Sequence, residues 1–303
     1  MIYENLVLEG AGAKLAAYVG VKRALEEKGL YFKRIAGSSA GAIFAGAYAI
    51  GLCACELEEL IMNEDLTNFQ DDSWGLVSDA FRIYSKFGLY KGDYFYDWYG
   101  SMLKEKTGNA DITFKEVQDI YGVELVITGS CLNKMQVHYY HPKSNPDMPI
   151  RKAVRISISI PIAYVPVKWN NDLLVDGGLL DNYPIWVFDK EKLDSSKETL
   201  IAYDSSVPVN KKTLGIKLVG PDDKRDGIIY HEDKPIKGWK DFASALIGAQ
   251  LAQNERLHIK PGYWEQTVTI NTGDIGTMDF KQSPETKEWL INQGYKATMK
   301  FLE

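Results

Sequence analysis

A serine among small residues is the clearest chemical signal in the sequence. The segment Gly37-Ser38-Ser39-Ala40-Gly41 has the form G-x-S-x-G and lies between a predicted strand and a predicted helix rich in small residues. A nucleophile elbow needs this context, because a sharp strand-to-helix turn exposes the serine hydroxyl and only small neighbours fit around it. Ser39 is therefore the candidate nucleophile, and a helix N-terminus capped by Ser38 or Ser39 is the structural alternative.

A serine hydroxyl is a poor nucleophile without an adjacent base, and Asp176 is the candidate for that role. Asp176 follows the apolar segment Leu173–Val175 and precedes Gly177 and Gly178. A strand end beside glycine backbone is a common place for catalytic side chains in parallel α/β sheets. An Asp in water has a pKa of about 3.9 and is a weak proton acceptor, so this role requires a partly dry site. A plain Asp-Gly turn is the structural alternative.

Histidine is the other kind of candidate base. The chain has four histidines, at His138, His141, His231 and His258. A Ser-His-Asp triad that uses His231 or His258 stays open, although the elbow follows the second predicted strand, earlier than in the α/β-hydrolase fold. Each histidine is also consistent with an ordinary surface or hydrogen-bonded side chain.

A glycine-rich turn, Gly10-Ala11-Gly12, follows the first predicted strand. Backbone N–H groups in such a turn can hold an anion, including the oxyanion of acyl transfer. The competing interpretation is a dinucleotide-binding turn of the form G-x-G-x-x-G. Leu15 stands where the third glycine of that pattern belongs, so the match is incomplete.

The elements that position these residues belong to a globular chain of 303 residues, of which 45% are hydrophobic and 25% charged. The net charge of −6 disfavours nucleic acid as a partner, because phosphate binding relies on Lys and Arg. Cys53, Cys55 and Cys131 are an odd set without a disulfide or zinc framework, and the N-terminus lacks a secretory pattern. We therefore predict an intracellular, cytoplasmic protein. We predict no metal, because no cluster of His, Cys and carboxylate residues has metal-ligand spacing.

The start of the chain predicts a βαβ unit, with strands over Asn5–Glu9 and about Tyr31–Ala36 around a helix over Leu15–Leu25. Next, the segment from Ile35 to Cys55 carries no charge and is long enough to span a membrane. Since it consists mostly of Ala, Gly and Ser, a tightly packed internal helix is the better interpretation.

Later segments alternate between the two periodicities, which favours a layered α/β domain with a mostly parallel central sheet and helices on both faces. Strands are predicted at Val123–Thr128, Met135–Tyr140, Leu173–Val175, Leu200–Tyr203, Leu214–Leu218 and Thr267–Asn271. Helices are predicted at about 54–63, 92–105, 148–159, 238–257 and 284–302.

Two segments stand apart from this alternation. An aromatic helical cap is predicted at about 74–106, as a lid, as an interfacial contact, or as rings that simply pack on the sheet. Its rings are Phe81, Tyr84, Phe87, Tyr90, Tyr94, Phe95, Tyr96, Trp98 and Tyr99. A polar, turn-rich stretch at about 207–240 is predicted as an elaborated loop region.

Together, the glycine-rich turn, the early G-x-S-x-G and the later Asp-Gly-Gly resemble the patatin-like phospholipase family. The resemblance extends through Thr113–Val117, Glu124–Thr128, Arg155–Pro161, Asp176–Pro184 and Ile270–Phe280. Because it covers nearly the whole chain, it implies one catalytic domain over residues 1–303 with a patatin-like, three-layer α/β fold.

The resemblance implies a Ser-Asp dyad without histidine, in which Ser39 is the nucleophile and Asp176 the base. The family's oxyanion turn maps to Gly10, Ala11 and Gly12. Here Ala11 replaces a usual glycine, and a positive φ at this alanine would cost roughly 1 kcal/mol. Leu15 replaces the glycine after the basic residue. The resemblance also implies that the Ala40 amide contributes to the oxyanion hole. The supporting positions that it implies are Lys14, Gly37, Gly41, Gly177 and Gly178.

Members of this family hydrolyse acyl esters of phospholipids and related lipids through an acyl-enzyme. The resemblance therefore implies a phospholipase A or lysophospholipase type of esterase, with a lipid substrate, peripheral membrane contact, and no metal or other cofactor. An acyltransferase with the same dyad and a catalytically silent lipid-binding protein are alternatives. A nucleotide-binding module built on Gly10 and Gly12 is a third.

Overall fold

The computed structural model describes residues 3–71, 84–190, 206–220 and 261–303, with a few positions between 236 and 250. The strands in these residues are β1 (Asn5–Leu8), β2 (Arg34–Gly37), β3 (Gly88–Tyr90), β4 (Glu124–Cys131), β5 (Gln136–Tyr140), β6 (Ile162–Tyr164), β7 (Val167–Trp169), β8 (Asp172–Asp176), β9 (Thr213–Val219) and β10 (Thr267–Asn271). Eight of them form a sheet in the order β10-β9-β1-β2-β4-β8-β7, with β5 also paired to β4.

The sheet is parallel over most of its width and antiparallel at one end. The strands from β10 to β4 are all parallel to their neighbours. In contrast, β5 and β8 pair antiparallel with β4, and β7 pairs antiparallel with β8. The predicted α/β class is confirmed, and the central sheet is mixed.

The helices are α1 (Ala17–Glu27), α2 (Ala40–Ala49), α3 (Ala54–Asn63), α4 (Asp93–Thr107), α5 (Phe114–Tyr121), α6 (Ile150–Ser157), α7 (Gly178–Asp181), α8 (Pro261–Trp264) and α9 (Pro284–Leu302). Short 3-10 helices form at Gly12–Ala16, Leu66–Phe69 and Ile185–Phe188. Among the predicted elements, α3, α9 and β10 have the predicted ends, whereas α5 was not predicted. The strand predicted at Leu200–Tyr203 and most of the helix predicted at about 238–257 lie outside the described residues.

Alternate residues of β1 enter two separate cores, because successive side chains of a strand point to opposite faces. Leu6 and Leu8 join the larger core, which residues of α1, α2, α6 and α9 also build. Val7 joins a smaller core with Tyr263 and the 3-10 helix Ile185–Phe188. Both faces of the sheet are therefore covered, as the layered prediction requires.

The uncharged segment after β2 forms a packed internal helix, as predicted. All ten residues of α2 are buried. In the parts of the chain that the structure describes, no helix has both the length and the apolar character to cross a membrane.

The expectation that the cysteines form no disulfide is wrong. The Sγ atoms of Cys53 and Cys55 are joined by a disulfide, and Cys131 is a buried free thiol. Extended backbone at Cys53, just before α3, leaves the two Cα atoms 5.4 Å apart, within the ordinary disulfide range. Two cysteines only two positions apart gave no sign of this pairing in the sequence.

Candidate active site

Ser39 and Asp176 meet because two strands end head to head on one edge of β4. β2 pairs with β4 up to Ile127, and β5 pairs with the opposite edge from Ile127 to Cys131. β8 runs antiparallel to β4, and its last residue, Asp176, lies opposite Gly129. Since β5 occupies the other edge there, β8 shares an edge with β2, and the carboxyl ends of these two strands face each other.

The turn between β2 and α2 has the strand-turn-helix form that the sequence predicts. Ser39 has φ 50° and ψ −123°, a conformation that a residue other than glycine adopts rarely and at a cost of about 1–3 kcal/mol. Glycines allow the close approach around it. A Cβ on Gly37 would lie 2.3 Å from the Gly41 carbonyl oxygen, and one on Gly41 would lie 2.3 Å from the Leu8 carbonyl oxygen.

The Ser39 hydroxyl donates a hydrogen bond of 2.7 Å to Oδ2 of Asp176. Both residues are nearly buried, at 7% and 4% exposure. The Ser39 N–H donates to Oγ of Ser157 at 2.9 Å, and Oδ1 of Asp176 accepts from the Gly178 N–H at 2.7 Å. A hydroxyl and a proton acceptor are thus held within hydrogen-bond reach, each fixed by a second partner.

The environment of Asp176 makes it a stronger base than an aspartate in water. Burial raises its pKa to about 7, against the smaller lowering effects of the hydrogen bonds from Ser39 and from the Gly178 N–H. Removing a carboxylate from water disfavours its charged form, and this outweighs the two hydrogen bonds. The dry site that the sequence argument required is present.

The glycine-rich turn packs directly against the serine. A Cβ on Gly10 would lie 3.0 Å from Cβ of Ser39, and Gly12 adopts φ +55°. Ala11 has φ −129°, so the strain considered for an alanine at this position does not arise. Within the described residues, the N–H groups of Ala11 and Gly12 donate no hydrogen bond.

Asn182 joins this turn to the segment that follows Asp176, and sequence reasoning missed it. The Gly10 N–H donates to the Asn182 carbonyl at 3.0 Å, and Nδ2 of Asn182 donates to the Gly10 carbonyl at 3.1 Å. The sequence offered only one indication of this role, namely that Asn182 is a polar residue shortly after the candidate base. The reciprocal pair fixes the distance between the two halves of the site.

Arg155 is connected to Asp176 through Ser159. No role for Arg155 was proposed from the sequence. Its side chain is buried, and its guanidinium donates to the Gly92 and Val165 carbonyls at 3.1 Å and to Oγ of Ser159. The Ser159 carbonyl in turn accepts the Asp176 N–H at 2.9 Å. The charge of Arg155 thus organises the backbone that holds the end of β8.

A buried ion pair lies immediately before the turn. The Glu9 carboxylate forms a salt bridge with Lys217 of β9, with side-chain exposures of 3% and 4%. Its other oxygen accepts the Leu218 N–H at 2.7 Å. The pair therefore ties the end of β1, where the turn begins, to β9.

The remaining predicted positions lie around this centre. Ala40 is the first residue of α2, and Lys14 is half-buried in the 3-10 helix before α1. A Cβ on Gly177 would lie 2.0 Å from Oγ1 of Thr128. His138 lies on β5, and His141 directly follows that strand. His231 and His258 are outside the described residues.

The aromatic segment is partly core and partly exposed. Phe95 and Tyr99 are buried in α4, and the Phe95 ring contacts those of Phe69 and Trp98. Outside α4, Tyr84 is 85% exposed. Residues 74–83 of the predicted cap lie outside the described part, as do residues 221–235 of the loop region predicted at about 207–240. Residues 213–219 of that loop region form β9.

Strand pairing brings together a second set of polar side chains, which linear spacing did not reveal. Ligand atoms of Cys131, His138 and Asp172 all lie within 4.8 Å of one another. These residues are on β4, β5 and β8, and only the antiparallel pairing places them side by side. The expectation that no cluster has metal-ligand spacing considered positions along the sequence and did not include this set across three strands.

Comparison with known proteins agrees with the resemblance. A family model described as patatin-like phospholipase matches residues 6–189. The uncharacterized protein YqhO of Bacillus subtilis is 29% identical over 313 residues, which cover 100% of this chain and 99% of YqhO. A probable lipid hydrolase, 463L of Invertebrate iridescent virus 6, is 27% identical over 216 residues, which cover 70% of this chain and 73% of that protein.

Among solved structures, VipD from Legionella pneumophila superimposes with a TM-score of 0.62 at 18% identity, over 100% of this chain and 67% of VipD. At that identity, the similarity concerns the fold. The family match spans the elbow, the glycine-rich turn and Asp176. This chain therefore belongs to the patatin-like phospholipase family.

Proposed function

We propose that this protein is a lipid acyl hydrolase of the phospholipase A or lysophospholipase type, in which Ser39 is the nucleophile and Asp176 the base. The observation that carries the proposal is the buried hydrogen bond of 2.7 Å from Ser39 Oγ to Asp176 Oδ2. Family membership supports an acyl-ester substrate. Family membership also favours a hydrolase over a nucleotide-binding module built on the glycine-rich turn.

In the acylation step, Ser39 Oγ attacks the carbonyl carbon of the ester while its proton passes to Oδ2 of Asp176. The carbonyl π pair moves to the oxygen and forms a tetrahedral oxyanion. When that pair returns, the bond to the alcohol leaving group breaks, and the protonated Asp176 gives its proton to the leaving oxygen. The products are an acyl-Ser39 ester and a free alcohol.

The oxyanion needs donors that are in place before reaction. The proposed donors are the N–H groups of Ala11 and Gly12 in the turn against Ser39, with the Ala40 amide at the start of α2. The positive end of α2, a helix of ten residues, also favours negative charge at this point. Asn182 keeps the turn in register with the end of β8.

Deacylation repeats the step with water as the nucleophile. Asp176 removes a proton from water as its oxygen attacks the acyl carbonyl, and the same proton returns to Ser39 Oγ when the acyl bond breaks. The fatty acid leaves, and both residues regain their starting states. An alcohol acceptor in place of water would give the acyltransferase alternative.

We expect a fluorophosphonate probe to label wild-type protein at Ser39, because the Ser39 hydroxyl already donates a hydrogen bond to its proposed base, Asp176. Mass spectrometry of peptides from the labelled protein would locate the adduct, and turnover of a fluorogenic acyl ester would be measured in parallel. Ser39→Ala should lose both signals. Ser101→Ala, in the exposed face of α4, should retain both and serves as the matched control.

Folded wild-type protein that neither reacts with the probe nor cleaves esters, even with phospholipid vesicles present, would contradict the hydrolase. That result would leave the silent lipid-binding protein. Labelling at Ser39 with turnover only when an alcohol acceptor is added would identify an acyltransferase. Labelling at a different serine would remove Ser39 from the mechanism.

We also expect kcat/KM to rise with pH and to level off above about 7, the pKa to which burial raises Asp176. Only the ionised carboxylate accepts the serine proton, so activity should fall about tenfold for each pH unit below that value. A stopped assay with an uncharged acyl ester would measure the profile, and circular dichroism would verify the fold at each pH. A flat profile between about pH 5 and pH 8 would contradict the raised pKa of Asp176, because an aspartate with its ordinary pKa is ionised throughout that range.

Peripheral membrane contact stays a prediction. The rings of Tyr84 and Phe87, before α4, are 85% and 57% exposed and favour an interfacial position for this part of the chain. A single catalytic domain over residues 1–303 is likewise our proposal.

A further inference from the structure

A sulfur, a nitrogen and an oxygen donor meet on one face of the sheet, away from the proposed dyad. Cys131 ends β4 and lies opposite Leu174 of β8. Asp172 begins β8, two positions from Leu174, and therefore shares its face. His138 pairs with Gly129 of β4, two positions from Cys131, and so points to that face as well.

The geometry of this cluster is close to that of a tetrahedral metal site. The three candidate ligand atoms all lie within 4.8 Å of one another. In a tetrahedral zinc site, with bonds of 2.0–2.3 Å, neighbouring ligand atoms lie about 3.5 Å apart. Metal binding would therefore draw the three ligand atoms closer together.

Burial and access also suit a metal. Cys131 is fully buried and His138 is 6% exposed, whereas the Asp172 side chain is 14% exposed. The donors are thus held by packing, while the carboxylate side is accessible from solvent. Metal entry and an exchangeable fourth ligand both require such an opening.

We propose that Cys131, His138 and Asp172 bind one Zn²⁺ ion, with a fourth coordination position open to water. Thiolate, imidazole and carboxylate together favour Zn²⁺ over Mg²⁺ or Ca²⁺, which prefer oxygen ligands alone. On binding, the Cys131 thiol loses its proton to solvent and the sulfur bonds to the metal. Oδ1 of Asp172 coordinates the metal, while Oδ2 keeps its 2.8 Å hydrogen bond from Lys134 Nζ.

The site is proposed independently of the hydrolase, and its expected effect is on the stability of the fold. A bound metal would link β4 and β5 to β8 at Asp172, which lies four residues, or about 13 Å, before Asp176. None of its ligands contacts Ser39. Bound metal would hold the strand that carries the candidate base, and it would stabilise the fold because the assembled site binds it more tightly than the unfolded chain does.

Equilibrium dialysis of chelator-treated protein against Zn²⁺, with elemental analysis of the protein, tests the proposal. We expect about one Zn²⁺ per chain and a melting temperature higher by about 5–10 °C at a hundredfold excess over Kd. Co²⁺ as a second probe should give a thiolate-to-metal charge-transfer band in the near ultraviolet and the d–d intensity of a tetrahedral site.

Variants separate this site from other ligands. Cys131→Ser and Asp172→Asn should each weaken binding by at least about tenfold and reduce the melting shift to about half or less, and Cys131→Ser should abolish the charge-transfer band. Cys53→Ser/Cys55→Ser should retain the full response, because serine also caps α3. A folded wild type without the Co²⁺ band, or Zn²⁺ binding that survives Cys131→Ser unchanged, would overturn the proposal. Ester hydrolysis measured in the same samples reports separately on the dyad.

Discussion

Asp176→Asn should lower kcat/KM for acyl esters by about 10³-fold or more and, at the same time, make the protein more stable at pH 8. The asparagine oxygen can accept the Gly178 N–H while its NH2 group donates to Ser39 Oγ, so both contacts of the site are kept with the Ser39 hydrogen bond reversed. It has no basicity with which to remove the serine proton. Loss of a functional base without loss of structure is the signature of a catalytic role.

The gain in stability follows from the direction of the pKa shift. Burial raises the pKa of Asp176 to about 7, above its value of 3.8 when unfolded. Its contribution to stability is therefore fully present below the unfolded pKa and is lost as pH rises through the folded one. Above pH 7, folding has to bury a charge, and asparagine removes that penalty.

We expect the difference in unfolding free energy between Asp176→Asn and wild type to grow by about 2 kcal/mol between pH 5 and pH 8. Urea titrations at several pH values would measure it. Asp119→Asn, which removes an exposed carboxylate of α5, is the control and should show no such trend. A variant that is inactive and less stable than wild type at every pH would instead assign Asp176 a structural role.

The candidate nucleophile and base could be proposed from the sequence because their signals are local. The strand, the turn and the small-residue helix around Ser39 are adjacent in the sequence, and so are the end of β8 and its two glycines. Local signals also gave α3 and α9 their ends. In α9, Ser283 caps the helix and proline occupies its first turn, two signs that are readable without tertiary structure.

The features that sequence reasoning missed all depend on contacts between distant segments. Asn182 reaches Gly10 across 172 positions. Cys131 and Asp172 become neighbours only because β8 turns back along β4. The φ angle of Ala11 is a different case: it is set by the folded backbone, so the residue type alone could not show whether the considered strain is present. Periodicity predicts which face a residue occupies, but pairing partners across a sheet depend on the whole fold.

The buried pair of Glu9 and Lys217 gives the largest expected effect on stability. Lys217→Met should lower the free energy of unfolding by about 3–5 kcal/mol, because it removes the positive charge that is paired with the buried Glu9 carboxylate. The Leu218 N–H and Nδ2 of Asn182 still donate to that carboxylate, but neutral donors do not replace a positive charge. Urea denaturation at pH 7, followed by circular dichroism, would measure the loss.

A double variant tests whether the loss comes from the charge that Glu9 keeps when Lys217 is removed. Glu9→Gln/Lys217→Met removes both charges and keeps an oxygen to accept the Leu218 N–H, so it should recover most of the lost stability. Lys115→Met removes a lysine from a pair that is 60% and 58% exposed and should leave the midpoint unchanged. If the double variant is as unstable as Lys217→Met, the lysine acts through packing of its aliphatic chain. Full recovery would instead mean that neutral residues hold β1 against β9 as well as the ion pair does. The pair would then contribute no net stability at this position beside the glycine-rich turn.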